Sequence, residues 1–273
     1  MSADEVDYVS GRTRLFGIVG HPITQVRSPE MFTAEFKARG QDAILLPFHV
    51  LPEDFDLVVP ALMRMPNLDG LIFTIPFKQR AILLAQEIGA NAKIVGAVNA
   101  LARTDGGWRA DIFDGLGCVE AFRRRGFSFK GRRVMVIGAG GAGSAIAVAV
   151  AHQGPALIRL FDVDDVRVAE LASKVHAVDP LIAVETGPAR HEGFDVLLNA
   201  SPVGMLEDAR LPIEATTFDR SLVVFDAIVK PETTPLLALA ERSGCAIVRG
   251  REMMRGQISR MTDYFGLLTG RST

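Results

Sequence analysis

The chain reads Val134-Met135-Val136-Ile137-Gly138-Ala139-Gly140-Gly141-Ala142-Gly143-Ser144-Ala145 near its middle, where an apolar run is followed by clustered glycines and then by small residues. This order predicts a strand, a tight turn and a helix. Glycines let backbone amides approach a pyrophosphate, and the helix N-terminus adds partial positive charge at the same place. The turn therefore indicates a dinucleotide site. A glycine-rich turn that only allows close helix packing is the alternative.

A second apolar run ends in an acidic residue about twenty residues after the first glycines. Residues 156–161 precede Asp162, at the position where dinucleotide-binding units carry a carboxylate for the adenosine ribose hydroxyls. That carboxylate repels a 2′-phosphate, and neither Val163 nor Asp164 supplies a cation to attract one. We therefore predict NAD rather than NADP as the cofactor, with Arg167 as the one nearby cation that argues otherwise. Asp162 is alternatively only the N-cap of the next helix.

Length and charge are typical of a two-domain enzyme without a polyanionic partner. The chain has 273 residues, and its 48% hydrophobic content suffices for two cores. It has 30 basic and 32 acidic residues and no concentrated basic block, which argues against nucleic acid or an anionic membrane as a partner. We expect a small-molecule substrate and either a monomer or a homodimer.

The cysteines and the hydropathy pattern point to a cytoplasmic protein. Cys118 and Cys245 lie too far apart to form a metal-binding pair, so we expect two buried free thiols and no metal site. No apolar run has the length of a membrane span, and residues 1–5 lack the pattern of a signal peptide. The first ten or so residues are polar, and we expect them to be loose.

The apolar periodicity predicts an α/β fold with two domains. Residues 1–113 form an N-terminal α/β substrate-binding domain, and residues 114–250 form a C-terminal Rossmann domain with a doubly wound parallel sheet. The segment 251–269, with a helix over 253–268, packs back on the first domain and lines the cleft. In the first domain we predict strands at 15–19, 44–50, 70–75, 97–102 and 108–112, and helices at 28–40, 52–65 and 78–88. In the second we predict a helix at 115–125 and strands at 133–137, 157–161, 196–199, 222–226 and 246–248.

Lys78 and Asp114 are the candidate groups for proton transfer. Lys78 directly follows a predicted strand end, where α/β folds present functional side chains. A lysine in a closed cleft exchanges protons near neutral pH when burial lowers its pKa. Asp114 begins the next predicted helix. The alternatives are a solvated lysine in a first helical turn and an aspartate that only caps a helix.

Seven pieces of the chain occur in the order found in one enzyme family. They are Gly17-Ile18-Val19-Gly20-His21-Pro22 with Ser28-Pro29, Thr74-Ile75-Pro76-Phe77-Lys78, Gly96-Ala97-Val98-Asn99, Asp114-Gly115, Gly138 to Gly143, Asn199-Ala200-Ser201-Pro202-Val203-Gly204-Met205, and Met253 with Gln257. In these motifs the chain resembles the shikimate/quinate dehydrogenase family over nearly its whole length. The resemblance implies a substrate domain and a Rossmann domain with the active site in the cleft between them.

The resemblance also implies roles for individual residues. Lys78 and Asp114 correspond to the pair that relays the proton of the reacting hydroxyl while hydride passes to the nicotinamide. Substrate contacts correspond to Ser28, Thr74, Asn99 and Gln257. The phosphate turn, the ribose acid and the loop beside the nicotinamide correspond to Gly138, Ala139, Gly140, Gly141, Ala142, Gly143, Asp162, Asn199, Ser201, Val203, Met205 and Gly250.

Five residues at or beside substrate-contact positions depart from the family pattern. Val26 stands at the first serine of the Ser-x-Ser signature, Ile72 at an asparagine, and Val229 at a tyrosine. Ile112-Phe113 replace the Asn-Thr that precedes the aspartate. A substrate polar group left unpaired against these side chains costs about 1 to 3 kcal/mol. We therefore predict an alicyclic substrate that is less polar than shikimate.

Two other functions stay open from the sequence. One is a true shikimate or quinate dehydrogenase with a rebuilt pocket, in which Arg27, Arg251 or Arg255 replaces the missing carboxylate contacts. The other is a non-catalytic protein that binds NAD and senses a ligand. Because a binding protein has no need of a proton-transfer pair, the presence of both Lys78 and Asp114 favours an enzyme.

Overall fold

The structure is a computed structural model that describes residues 9–267, and it contains two six-stranded sheets flanked by helices. The strands are β1 Arg14–Gly20, β2 Ala43–His49, β3 Leu68–Phe73, β4 Glu87–Ile88, β5 Ala100–Thr104, β6 Gly107–Asp111, β7 Arg133–Ile137, β8 Leu157–Phe161, β9 Ala183–Thr186, β10 Val196–Asn199, β11 Val223–Asp226 and β12 Ala246–Arg249. The helices are α1 Ser28–Ala38, α2 Phe55–Leu62, α3 Ala90–Val95, α4 Asp114–Arg124, α5 Gly141–Ala151, α6 Asp165–Val178, α7 Pro235–Arg242 and α8 Gly250–Tyr264.

The first sheet is mixed and has the strand order β2-β1-β3-β5-β6-β4. Strands β2, β1 and β3 run parallel, whereas β5 is antiparallel to β3 and to β6. The side chains of β1 and β3 are mostly buried, as expected for central strands covered on both faces. Because β1 and β3 are parallel neighbours, the segments that follow them, 21–28 and 74–78, leave the sheet at the same edge.

The second sheet is parallel throughout and has the order β12-β11-β10-β7-β8-β9. The chain reverses its direction of winding between β7 and β10, where Ile137 pairs with Asn199. A crevice at the carboxyl ends of the strands is the usual ligand site of such a sheet. This arrangement confirms the predicted α/β class and the doubly wound parallel sheet.

Helices α4 and α8 cross in close contact beside the two sheets. A Cβ atom on Gly117 would lie 2.5 Å from the carbonyl oxygen of Met253, and one on Gly256 would lie 2.6 Å from that of Gly117. The two backbones therefore touch directly. Helix α8 also packs on α1, and after its end Phe265 joins the aromatic core of the first sheet. The domain boundaries given above stay a prediction, and residues 268 and 269 of the predicted last segment lie outside the described residues.

The helix predicted over residues 78–88 is wrong. Only Ala81–Leu84 form a 3-10 turn, and Ala85 is already extended. The backbone amide of Gln86 donates to the carbonyl of Trp108 at 2.9 Å, and the next two residues form β4 against β6. Pairing with a distant strand thus overrides the local helical pattern.

Several smaller expectations also need correction. The sequence pattern also suggests Ser28 as the N-cap of the helix predicted over 28–40, but Ser28 is the buried first residue of α1 and the cap position is Arg27. Elements β4, α3, β9 and α7 were not predicted, and other boundaries shift by a few residues. Gly89, which directly follows the helix predicted over 78–88 and suggests its end, instead precedes α3, whose Ala92 amide donates to Asp111 at 3.1 Å.

Two further expectations concern the thiols and the membrane. Cys118 and Cys245 are buried and form no disulfide, as predicted. Within residues 9–267 no helix is long and apolar enough to cross a membrane. The expectation that the first ten or so residues are loose falls largely outside the described residues.

The helix crossing yields a prediction for Gly117→Ala. The added methyl group meets backbone, and overpacking of this kind costs about 1 to 3 kcal/mol, more than the gain of about 1 kcal/mol from the helix propensity of alanine. Urea denaturation should show a lower free energy of unfolding than for the wild type. The control is Arg260→Ala on the exposed side of α8, which should change stability little. A Gly117→Ala protein as stable as the wild type would contradict the close crossing.

Candidate active site

Lys78 and Asp114 meet where the segment after β3 reaches the first turn of α4. Lys78 lies five residues after β3, held by a hydrogen bond from the Val98 amide to its carbonyl oxygen at 2.8 Å. Asp114 is the first residue of α4. The Nζ–Oδ2 distance is 2.5 Å, and the two side chains are only 15% and 5% exposed. Shielding from water strengthens the attraction between the two groups and fixes their geometry.

Two amide side chains lie in the same region and connect three elements. Asn99 Oδ1 accepts a hydrogen bond from the backbone amide of Phe113 at 2.9 Å, directly before Asp114. Asn99 Nδ2 donates to Gln257 Oε1 at 3.2 Å. Both side chains are buried, although Gln257 comes from α8 near the end of the chain. The arrangement presents polar amide groups beside the Lys78–Asp114 pair.

The glycine turn lies against Lys78. A Cβ atom on Gly141 would come within 3.4 Å of Lys78 Cβ, so the turn and the lysine are in contact across the cleft. Gly138 has φ +100°, which other residues rarely adopt, and a Cβ on Gly143 would overlap the Gly138 carbonyl oxygen. A Cβ on Gly140 would meet nothing within 4 Å. A turn that needs glycine and faces open space at a helix N-terminus fits a pyrophosphate.

Asp162 is tied to the glycine turn. Its Oδ2 accepts from the Ala139 amide at 2.7 Å, and its Oδ1 accepts from the Asp164 amide at 3.1 Å. The alternative that Asp162 caps the following helix is wrong, because Asp164 accepts from the Val166 and Arg167 amides instead. Asp162 therefore links the end of β8 to the turn after β7.

A cavity of about 450 Å³ opens beside Asp162. The residues that the structure gives as its lining include no lysine, arginine or histidine. Arg167, the cation closest in sequence, pairs with Asp164 at 3.3 Å. The lining consists of Leu160, Phe161, Asp162, Asp165, Val168, Ala169, Thr186, Gly187 and Pro188. A carboxylate beside a cavity and next to a glycine turn is the arrangement with which dinucleotide-binding units hold the adenosine ribose.

The loop that follows β10 is anchored by a buried polar network. Asn199 Oδ1 accepts from the amide and the hydroxyl of Ser201, at 3.1 and 2.7 Å. Asn199 Nδ2 donates to Asp226 Oδ1 at 3.1 Å. Asp226 also accepts from the Ile228 amide at 3.1 Å and from Thr234 Oγ1 at 2.7 Å. Burial raises the pKa of Asp226 to about 6.

Sequence reasoning missed Asp226 and Thr234. A polar residue at the end of the buried strand β11, next to Asn199 of β10, was the available signal for Asp226. No local signal marked Thr234, which reaches the carboxylate from eight residues further along the chain. Val203 and Met205 lie on the same anchored loop, half-buried.

Four of the five residues that depart from the family pattern lie in one apolar cluster, whereas Ile112 is buried in a different one. Ile72 and Phe113 are buried in the first cluster, and Val26 and Val229 pack against it. Phe113 also contacts the ring of Tyr264, with 5.1 Å between ring centroids. We call Val26, Ile72, Phe113 and Val229 the apolar wall. Gly250 starts α8 beside this wall, and a Cβ atom on Gly250 would overlap the carbonyl oxygen of Ile228. Ser28 is buried and Thr74 is half-buried at the same edge of the first sheet.

The three arginines proposed as replacements lie near the surface. Arg27 pairs with Glu30 at 2.5 Å, and Arg251 Nη1 lies 3.8 Å from Glu232 Oε2. Arg255 is exposed on α8. Arg27 and Arg251 are therefore each already partnered by a carboxylate.

Comparison with known proteins identifies the family. The shikimate dehydrogenase substrate binding domain matches residues 18–101. A shikimate dehydrogenase (NADP(+)) of Geobacter metallireducens is 33% identical over 262 residues, which cover 91% of this chain and 90% of the relative. The chain belongs to the shikimate/quinate dehydrogenase family. It is an oxidoreductase of the alcohol dehydrogenase type that works with a nicotinamide cofactor.

Two crystal structures show the range of the family fold. Shikimate 5-dehydrogenase from Listeria monocytogenes, in complex with shikimate and NAD, has a TM-score of 0.84 at 27% identity, covering 96% of this chain and 94% of that one. The 5-ketofructose reductase of Gluconobacter sp. strain CHM43 has a TM-score of 0.82 at 25% identity and covers 96% of both chains. The names of proteins similar to this one thus refer to different substrates.

The buried Asp226 yields a prediction for stability against pH. The folded chain retains a proton on Asp226 up to about pH 6, whereas an unfolded aspartate loses it near pH 4. The contribution of this group to the free energy of unfolding is therefore fully present below about pH 4. It is lost as the pH rises to about 6, by about 3 kcal/mol in all.

The comparison that isolates this group is the wild type against Asp226→Asn, which cannot titrate. Urea denaturation across this pH range should give a difference in unfolding free energy, wild type minus variant, that falls as the pH rises. Parallel curves for the two proteins would contradict the raised pKa.

Proposed function

We propose that this protein is an NAD-dependent dehydrogenase that interconverts a ring hydroxyl and a ketone on an alicyclic substrate less polar than shikimate. The observation that carries the proposal is the shielded Lys78–Asp114 pair in contact with the glycine turn. A sensor protein has no use for a buried lysine and carboxylate held 2.5 Å apart beside a dinucleotide turn.

In this proposal Lys78 transfers the proton of the reacting hydroxyl. When bound, the nicotinamide supplies the hydride acceptor or donor. During oxidation of the alcohol the neutral Lys78 amine accepts the hydroxyl proton, and during reduction of the ketone the Lys78 ammonium group donates it to the substrate oxygen. Asp114 holds that ammonium group in place. Asn99 and Gln257 orient the substrate through their amide groups, together with Thr74 and Ser28. Little of the pair is exposed to water, which favours transfer between the lysine and the substrate over transfer to solvent.

The preference for NAD rests on charge at the adenosine end. Asp162 lines a cavity whose other lining residues include no lysine, arginine or histidine, so a 2′-phosphate there would meet a carboxylate with no cation to compensate it. The ribose hydroxyls of NAD can instead donate to that carboxylate. Some relatives of this chain are named as NADP(+) enzymes, so the cofactor preference has to be tested on this protein itself.

The preference for a less polar substrate rests on the apolar wall. Val26, Ile72, Phe113 and Val229 meet in one cluster, so the four exchanges act on one part of the pocket. Each substrate hydroxyl or carboxylate oxygen placed against that wall would lose its water without gaining a partner. Carbon faces of the substrate fit there instead.

Lys78→Met tests the catalytic assignment. Loss of the proton-transfer group should lower kcat by about 10² to 10⁴, while methionine preserves the length of the side chain. Dissociation constants for NAD from calorimetry should change little. Lys130→Met, on an exposed surface, is the matched control and should retain activity. Undiminished kcat in Lys78→Met would remove the lysine from the mechanism.

Asp162→Asn tests the cofactor preference. Asparagine keeps an oxygen that accepts from the Ala139 amide but loses the charge, so the ratio of kcat/KM for NAD to that for NADP should fall about tenfold or more. The control is Asp164→Asn, which removes the same charge two residues away and keeps the helix cap. An equal change in both variants would show a general effect of net charge.

The proposed function itself is tested by reduced-nicotinamide absorbance with a panel of substrates. Each of NAD and NADP is tested with shikimate, with quinate, and with cyclohexane and cyclohexene carboxylates that carry fewer hydroxyls. We expect turnover with NAD and the less polar compounds, and a gain for shikimate in the double variant Val26→Ser, Val229→Tyr. Fast oxidation of shikimate or quinate by the wild type would instead establish a rebuilt pocket for the family substrate.

A further inference from the structure

Asp226 occupies a position that packing alone does not require. Its carboxylate is fully buried at the end of β11, and burial disfavours the charged form. Its hydrogen-bond partners are neutral donors: a side-chain amide, a hydroxyl and a backbone amide. A buried carboxylate held in this way lowers stability near neutral pH, so its retention calls for a benefit elsewhere.

The partners of Asp226 come from two different loops. Asn199 opens the loop after β10, which continues through Ser201 to Met205. Ile228 belongs to the segment after β11, next to Val229 in the apolar wall. Thr234 closes the network from the start of α7, where its hydroxyl also caps the helix by accepting from the Leu237 amide.

Backbone hydrogen bonds join the same two loops. The Ala227 amide donates to the carbonyl of Asn199 at 2.9 Å, and the Leu206 amide donates to that of Lys230 at 3.0 Å. The loop after β10 is thus fixed to the segment after β11 at both ends. Asp226 provides the side-chain connection between them.

We propose that Asp226 is a positioning residue that holds the loop from Asn199 to Met205 and the pocket wall at Val229 in one arrangement around the nicotinamide. This inference rests on the proposed function, in which that loop borders the nicotinamide ring. The carboxylate does not touch the reacting atoms. It acts through Asn199 on the cofactor side and through the Ile228 amide on the substrate side.

The position of Asp226 predicts a selective effect on the nicotinamide half of the cofactor. ADP-ribose contains the adenosine and pyrophosphate groups but no nicotinamide, and its sites are the Asp162 cavity and the glycine turn. If the loop is ordered only about a tenth of the time without its anchor, binding of the nicotinamide half weakens about tenfold. Binding of ADP-ribose should stay within about twofold, because the Asp162 cavity does not include the network.

The experiment is calorimetric titration of NAD and of ADP-ribose into the wild type, Asp226→Leu and Thr234→Val. Asp226→Leu removes both oxygens that accept from Asn199, Ile228 and Thr234. Thr234→Val keeps the shape of the side chain but removes the hydroxyl, and it serves if Asp226→Leu does not fold. Thr234→Ser retains the hydroxyl and should restore wild-type binding of NAD. Asp219→Asn, an exposed carboxylate of the same domain, is the matched control.

Selective weakening of NAD in Asp226→Leu and Thr234→Val, with recovery in Thr234→Ser, supports the positioning role. Equal weakening of NAD and ADP-ribose, or no change in either, overturns it. A loss in Thr234→Ser equal to that in Thr234→Val also overturns it, because the effect would then come from packing. Failure of the proposed function has a different signature, because it appears in the wild type itself, as absent NAD binding or as absent turnover with NAD across the substrate panel.

Discussion

The close crossing of α4 and α8 brings distant parts of the chain to one point. The helices touch through Gly117 and Gly256, so the starts of both helices lie near the cleft. Asp114 stands one turn before the first glycine and Gln257 directly follows the second. Larger residues at the crossing would separate the helices, and the amide pair formed by Asn99 and Gln257 would lose its 3.2 Å contact. Backbone contact between two helices thus sets the geometry of a polar site.

In the proposed function, different residues carry the chemistry and the recognition of the substrate. The Lys78–Asp114 pair contacts the glycine turn. The apolar wall with Val26 and Val229 lies with the aromatic core of the first sheet. On this proposal, substitutions in that wall change which part of the substrate loses its water and leave the pair in place. A family with a constant redox reaction can therefore acquire new substrates through a few carbon side chains.

The elements that the sequence predicted best are those whose signal is local. Strands β7, β8 and β10 agree residue for residue with the prediction, because central parallel strands are buried on both faces and read as continuous apolar runs. The helix prediction for Lys78 to Ile88 is wrong because the end of this segment pairs with β6, which is distant in sequence. Lys78 and Asp114 were recognisable from motifs. The Asp226 network was not, because a hydrogen bond between two buried side chains leaves no periodic pattern.

The hydrogen bond from the Ala139 amide to Asp162 couples two properties that are usually discussed apart. In the proposed function, the same carboxylate selects the nucleotide and braces the turn that receives its phosphates. A lysine or arginine at this position would attract a 2′-phosphate but leave the Ala139 amide without its acceptor. Any lineage or design that exchanges the cofactor must therefore supply a second acceptor for that amide, so a change of nucleotide requires at least two coordinated substitutions.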